Sequence, residues 1–530
     1  MDGVQSSVGT GRRRLPALRG GAIMGYQEQL AVVKELNHAF RCYKSIESLF
    51  ELDQWSALPP EGAAYRQQVG SFVADQKNAL FASPGAAEAF AYFSGGDWQT
   101  IDSDLERGLV RLFLFRYRNA VRMPRKVLEQ YNLLRVTLMQ KWQEARKQQD
   151  YHIFRPWLEQ AFQLKKQIAE KIEPGQPAFD TLVGMTDEGL DCREVSGQFT
   201  VLKQGIRQLL EKLPLAAQNS PADDFLEQQE DPERMEAFAH QLAYESGYDP
   251  QKGHFNDQVV HGFTSFLGPR DSRISTYRNG SIALIFTCMH EAGHAMYATG
   301  GNAEVNEADL WGGIEGGFHE AMSRLNENMV ARSRGYWEHY YPLLQQVFPR
   351  YKEVAEETFY RAVNRVKPSP RRISADEVTY SLHAILRFDL ERDVFAGKIK
   401  AEELRDAWNE GYRTWLGVEP ANDTEGILQD MHWAGDYIGY FQSYALGNIY
   451  DGQILERLQQ DLPDYEKDLS QGNFARLNQW LDGHIRQYGC MFTGTEMLQR
   501  LTGKGLDARP FLRYLEKKYL FNEPDRRILT

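Results

Sequence analysis

The chain has 530 residues, 42% hydrophobic and 25% charged, a composition that excludes a disordered or fibrous protein. A net charge of −12 argues against broad binding to nucleic acid or anionic membranes. No apolar run is long enough to span a membrane, and the four cysteines (Cys42, Cys192, Cys288, Cys490) lack C-x-x-C spacing, which fits a reducing cytoplasm rather than a disulfide framework.

Residues 1–26 are basic and Gly-rich, with Arg12–Arg14 but no apolar signal core, and read as a disordered tail. From Gln27 the pattern is helical. Apolar residues recur at three and four spacing over Glu28–Phe40, and a second helix is expected over Ala63–Leu80, after the Pro59–Pro60 break. Long amphipathic helices are expected over Asn132–Gln148 and Trp157–Ile172, with breaks at Glu173–Pro177 and Asn219–Ala222. The one convincing strand is Ser272–Arg278, which could receive an extended peptide by edge pairing or serve as a plain connection. Helical patterns follow over Tyr336–Val366, over Ala375–Asp389 after a basic Pro-rich break at Lys367–Arg372, and again from 450 to the end.

The chemistry centres on the stretch Cys288–Tyr297, which reads His-Glu-x-x-His on an apolar helix. Residues four apart share a helix face, so His290 and His294 can direct two imidazoles at one ion, most simply zinc. Glu291 lies about 100° around from His290, where it can reach a metal-activated water without ligating the ion. A catalytic zinc takes a third protein ligand. Glu320, thirty residues after His290 and following a Gly-rich connection, is the best candidate, with His319 in competition. His383 sits on an apolar face and is expected to be a core residue.

Six motifs in order make the chain, from about residue 27 to its end, resemble the carboxypeptidase Taq metallocarboxypeptidases, peptidase family M32. They are His261-Gly262-Phe263, Asp271-Ser272-Arg273-Ile274-Ser275, the His290–His294 motif, His319-Glu320-Ala321-Met322-Ser323, Arg372-Ile373-Ser374-Ala375-Asp376, and the complete Gly426–Trp433 pattern Gly-x-x-Gln-Asp-x-His-Trp. Asp53–Gly62 also resembles a family segment. The departures are Leu52 for Trp, Gly262 for Pro, Ser275 for Thr, Ala321-Met322 for Ser-Gln and Arg371 for Ile; none removes a metal ligand or the general base.

The resemblance implies a mainly α fold: a large helical zincin-type body (27–530 as one peptidase domain, two helical halves flanking a long groove) with a small β-sheet beside the zinc helix. It implies Glu320 as the third ligand beside His290 and His294, and one divalent metal per chain, zinc first, with cobalt or manganese as alternatives. It further implies a homodimer acting on peptides with a free C-terminus. Glu291 would be the general base, and His432 and Tyr440 the donors to the oxyanion. Arg372, then Arg273, would hold the substrate carboxylate in a guanidinium fork. The alternative for each arginine is an internal ion pair, with Asp376 or Asp271. His261 and Gln429 would line or back the groove. The expected activity is release of single C-terminal residues with broad specificity. The competing readings are an endo- or dipeptidyl-peptidase using the same site, and a peptide-binding scaffold with a retired metal site.

Overall fold

The computed structural model describes residues 25–213, 224–256 and 258–520, with Asp224, Gln258, Val260 and His261 described by backbone alone. The expected tail before Gly25, the break at 219–222 and the side chain of His261 therefore lie outside the described residues.

Among the described residues nine helices of nine or more residues precede the sheet: α1 (Tyr26–Ser56), α2 (Ala63–Ala79), α3 (Pro84–Gly95), α4 (Asp104–Arg122), α5 (Arg125–Gln148), α6 (Tyr151–Ile172), α7 (Ala178–Thr186), α8 (Cys192–Lys212) and α9 (Pro232–Glu245), besides shorter helical turns. The sheet has β1 (Phe255–Asn256), β2 (Gln258–Gly268) and β3 (Asp271–Tyr277). After it come α10 (Ala283–Ala298), α11 (Gly317–Arg324), α12 (Arg334–Val347), α13 (Glu356–Val363), α14 (Tyr380–Phe395), α15 (Leu404–Leu416) and α16 (Phe441–Asp461), with further helices to Leu520. The mainly α fold with one small sheet is as expected from the sequence.

Apolar stripes on α1 (Leu30, Val33, Leu36), α3 (Ala89, Phe93) and α4 (Leu109, Phe113) close into a small core of their own. α5 to α16 share one large core. α10 is apolar on nearly every side and is correspondingly buried.

Three expectations need correction. The strand Ser272–Arg278, seen as β3, is the middle of the sheet: β1 pairs with it in parallel and β2 antiparallel, with Thr264 opposite Ile274. Both its edges are occupied, so it cannot accept a peptide strand. The helix expected over Tyr336–Val366 is broken, because Pro349 disfavours helical backbone at Phe348. A 3₁₀ turn over Pro349–Glu353 separates α12 from α13. The helix expected from Ala375 starts later, at Tyr380, where the Asp376 carboxylate accepts from the Thr379 amide at 2.9 Å.

Candidate active site

A groove of about 1740 Å³ runs across the molecule. Arg41 and Lys44 of α1 and Gly262–Phe266 of β2 form one wall; Arg372, Tyr380, His432, Tyr440 and Tyr444 are on other elements that line it. Among the lining residues are His290, Glu291, His294 and Glu320.

α10 supplies both histidines from consecutive turns, with ring centroids 4.9 Å apart. α11 crosses against it, closely enough that Gly293 touches the Met322–Ser323 backbone. Its first turn is fixed by Asp187, which accepts from the Gly317 amide at 2.6 Å and from the Ser443 hydroxyl at 2.6 Å. Gly316, with φ +68°, makes the turn into the helix; a Cβ there would strike Asp187.

This packing brings Glu320 Oε2 to 3.9 Å from His290 Nε2 and 3.8 Å from His294 Nε2, and the three donors all lie within 4.8 Å of one another. Ligand–ligand edges around a tetrahedral zinc with ~2.1 Å bonds are on the order of 3.4 Å, so the donor set fits a divalent ion with small adjustments.

The far nitrogens are equally constrained. His290 Nδ1 lies 3.0 Å from Glu327 Oε2, and His294 Nδ1 lies 2.7 Å from His319 Nδ1. His319 Nε2 in turn donates to the Gly312 carbonyl at 3.2 Å, which makes its Nδ1 an acceptor. In the neutral form that can bind a metal, one tautomer satisfies the whole chain: both α10 histidines carry the proton on Nδ1 and present a lone pair on Nε2. Burial opposes charge on His290, but Glu327, Glu320 and Glu291 outweigh it and raise its pKa to about 9. Burial, His319 and His290 hold His294 well below the ordinary value. Burial works against ionisation of Glu327, yet His290, Arg332 and Arg324 lower it to about 2.

Glu291 is 7% exposed and accepts from the Thr264 hydroxyl of β2 at 2.6 Å. Burial raises its pKa, opposed by His290 and Thr264. Gly262 leaves room beside it, where a Cβ would come within 2.9 Å of Thr287.

The structure brings Arg372 and His432 into one network. Arg372 Nε and Nη2 grip Asp430 at 3.1 and 3.2 Å, and Nη1 donates to the Tyr380 hydroxyl at 3.1 Å. Two N–H groups of the fork, one on Nη1 and one on Nη2, are left over. The ion pair is with Asp430, not Asp376. Gln429 does not line the groove; its Oε1 accepts from the Arg372 amide at 2.7 Å and braces that turn. His432 Nε2 lies 3.0 Å from the Tyr444 hydroxyl. Tyr440 packs its ring 5.2 Å from that of Tyr444, and burial keeps its hydroxyl protonated well above the ordinary range. Arg273 is elsewhere: it pairs with Asp271 through both carboxylate oxygens, at 3.0 and 2.9 Å, and does not line the groove. His383 is fully buried, its Nδ1 2.9 Å from the Tyr412 hydroxyl, as a core residue should be.

Sequence reasoning missed Glu327, Tyr380, Tyr444, Thr264 and Arg324. Glu327 carried a faint signal, lying two turns after Glu320, but the turn that delivers it, Leu325–Val330, is π-helical. Arg324 lies over the Tyr380 ring at 3.9 Å and has no motif to announce it.

A helical body split by a groove, with His290, His294 and Glu320 gathered next to Glu291, defines a metallopeptidase. The sequence profile of the carboxypeptidase Taq (M32) metallopeptidases matches residues 32–519, and the chain belongs to that family. It is 33% identical to thermostable carboxypeptidase 1 of Thermus thermophilus over 488 residues, covering 90% of this chain and 95% of that one. Its fold superposes on the M32 carboxypeptidase of Deinococcus radiodurans with a TM-score of 0.86, at 32% identity and covering 93% and 98% of the two chains. For the Pyrococcus furiosus carboxypeptidase the TM-score is 0.87, at 28% identity and 94% and 100% coverage. The protein is thus a metal-dependent carboxypeptidase, a hydrolase of peptide bonds.

Proposed function

We propose that the protein releases single C-terminal residues from peptides with broad specificity, using zinc and Glu291 as general base. The observation that carries this reading is the convergence of His290, His294 and Glu320 beside a buried carboxylate on the groove. These three residues would hold the metal, cobalt or manganese being the alternatives to zinc. When bound, the metal supplies a Lewis acid that acidifies water and polarises a carbonyl.

The remaining steps belong to the chain. Glu291, aimed by Thr264, takes the proton of the attacking water and delivers it to the departing amine. Tyr440 and His432 donate to the oxyanion, with Tyr444 positioning His432. Arg372 offers its two remaining N–H groups to the substrate carboxylate while Asp430 keeps the fork in place. Arg273, paired with Asp271 and off the groove, has no support as a substrate ligand. The groove walls mix charged, hydroxyl and aromatic groups, which supports acceptance of varied side chains.

We further infer one peptidase domain that acts as a cytoplasmic homodimer. Its four cysteines are free thiols, which suits a reducing compartment, and Trp55, Tyr65 and Phe72 are exposed apolar groups on α1 and α2 available for association. Among the described residues no helix is long and apolar enough to cross a membrane.

Mass spectrometry of a digested peptide tests the reading. A ladder shortening one residue at a time is expected, abolished by chelator, by a C-terminal amide and by Glu291→Gln. Internal cuts, or cleavage undiminished in Glu291→Gln, would overturn it.

A further inference from the structure

A second cavity, of about 80 Å³, lies beside the groove between α1, α4 and the turn Trp311–Glu315. Three arginines line it: Arg41 from α1, and Arg111 and Arg116 from α4. Only Arg111 has an ion pair, with Glu188. Arg41 spends its donors on neutral acceptors, the carbonyls of Asp309 at 3.0 Å and Trp311 at 2.7 Å. Arg116 donates to the Asn37 amide oxygen and stacks on Phe40 with its guanidinium carbon 4.2 Å from the ring centre. Among the described residues neither Arg41 nor Arg116 has an ion-pair partner. The Nε of Arg111, a residue only 7% exposed, has neither a protein acceptor nor access to solvent.

Three carboxylates share this lining; Glu188 is spent on Arg111, and neither Asp187 nor Glu315 forms an ion pair with Arg41 or Arg116. Asp187 is saturated by the Gly317 amide, Gln442 and Ser443, and Glu315 is exposed at the rim. Guanidinium groups without an ion-pair partner are costly in a confined space, and burial together with repulsion from Arg41 and Arg111, opposed by Cys490 and Glu315, lowers the Arg116 pKa to about 10. One water needs on the order of 10–15 Å³ of such space, so the cavity has room for a small ion and some of its hydration.

We propose that this cavity is a binding site for a small monovalent anion, a halide, held among the guanidinium groups of Arg41, Arg111 and Arg116. The occupant supplies Arg41 and Arg116 with the ion-pair partner they lack and ties α1 and α4 to the Trp311–Glu315 turn. Arg41, Gly313 and Glu315 line both this cavity and the groove, and the Gly312 carbonyl of that turn is the one that fixes His319. The ion thus acts at one remove from the metal site without touching it.

The test compares thermal unfolding of the metal-loaded protein in sodium chloride and in sodium gluconate at equal ionic strength. A saturable, chloride-specific upward shift of about 2 °C is expected, and it should vanish in Arg116→Gln. Equal melting temperatures in the two salts, or a chloride increment undiminished in Arg116→Gln, overturn the proposal. Should that variant fail to fold, a bromide-soaked crystal of the unaltered protein decides. An anomalous peak among the three guanidinium groups supports the site, and none there at saturating bromide refutes it.

Discussion

Replacing Gly293 by alanine tests how the third ligand is held. Gly293 lies between the two histidines on α10, and a Cβ there would stand 2.6 Å from the Met322 carbonyl oxygen and 2.7 Å from Ser323 Cα. Ordinary contact begins near 3.4 Å, so α11 would have to retreat by about 0.8 Å. It has nowhere to go. On its far side a Cβ at Gly447 of α16 would lie 2.7 Å from Glu320 Cγ, and one at Gly317 would lie 2.6 Å from Leu446 Cβ.

Overpacking of this kind costs about 1–3 kcal/mol. Alanine returns up to about 1 kcal/mol of helix propensity, leaving a net loss of up to about 2 kcal/mol at that full gain. The larger effect is on Glu320, which rides on the displaced backbone, and metal affinity should fall by about tenfold or more. Competition with a chromophoric chelator measures the affinity, and denaturant unfolding of the metal-free protein measures the stability. Gly197→Ala is the control: it is also helical but has open space around it, and should stabilise by about 0.5–1 kcal/mol. Wild-type affinity and midpoint in Gly293→Ala would refute the account of α11 as a wedged helix.

Glu327→Gln removes the charge behind His290 while keeping the shape, and should weaken metal binding by about tenfold; unchanged affinity in the same chelator competition would show that the 3.0 Å contact is incidental. Arg372→Lys loses the planar fork and should lower kcat/KM on peptides with a free C-terminus about 10–100-fold, checked by steady-state kinetics, with equal rates as the contrary result. Glu391 gives a pH signature. Burial raises its pKa to about 7 from 4.5, opposed by hydrogen bonds from Trp433 and Gly439. Because the folded value lies above the unfolded one, its contribution is complete below pH 4.5 and falls by about 3 kcal/mol as pH rises through 7. The stability difference between wild type and Glu391→Gln, from urea unfolding at pH 5 and pH 8, should therefore change with pH. A constant difference would contradict that burial effect.

Local patterns that repeat within a few residues were legible in the sequence. The His290–His294 face follows from helical spacing alone, and α1, α2, α5 and α6 fall where the apolar periodicity puts them. Glu320 needed the resemblance to separate it from His319, since the choice depends on how α11 rolls against Gly293 and Gly447. What stayed hidden depends on distant partners. Asp430 meets Arg372 from 58 residues away, Thr264 reaches Glu291 from a strand whose pairing the sequence did not specify, and Glu327 arrives through a π-helical turn that no periodicity encodes. The central placement of β3 was illegible for the same reason, because β2 carries a register irregularity between Gln258 and Phe263.

The Gln429–Trp433 stretch has a consequence for the length of what is cut off. Gln429 secures the backbone at Arg372, Asp430 aims its fork, His432 faces the groove and Trp433 is anchored by Glu391 at 2.6 Å. Under the roles proposed above, Asp430, which aims the arginine that receives the terminal carboxylate, and His432, a donor to the oxyanion, stand two positions apart on a single pinned strip of backbone. That strip is a ruler: it sets the span between a peptide's end and the carbonyl under attack, and so whether one residue or two is released. A chain with the same metal ligands but a longer strip would count differently.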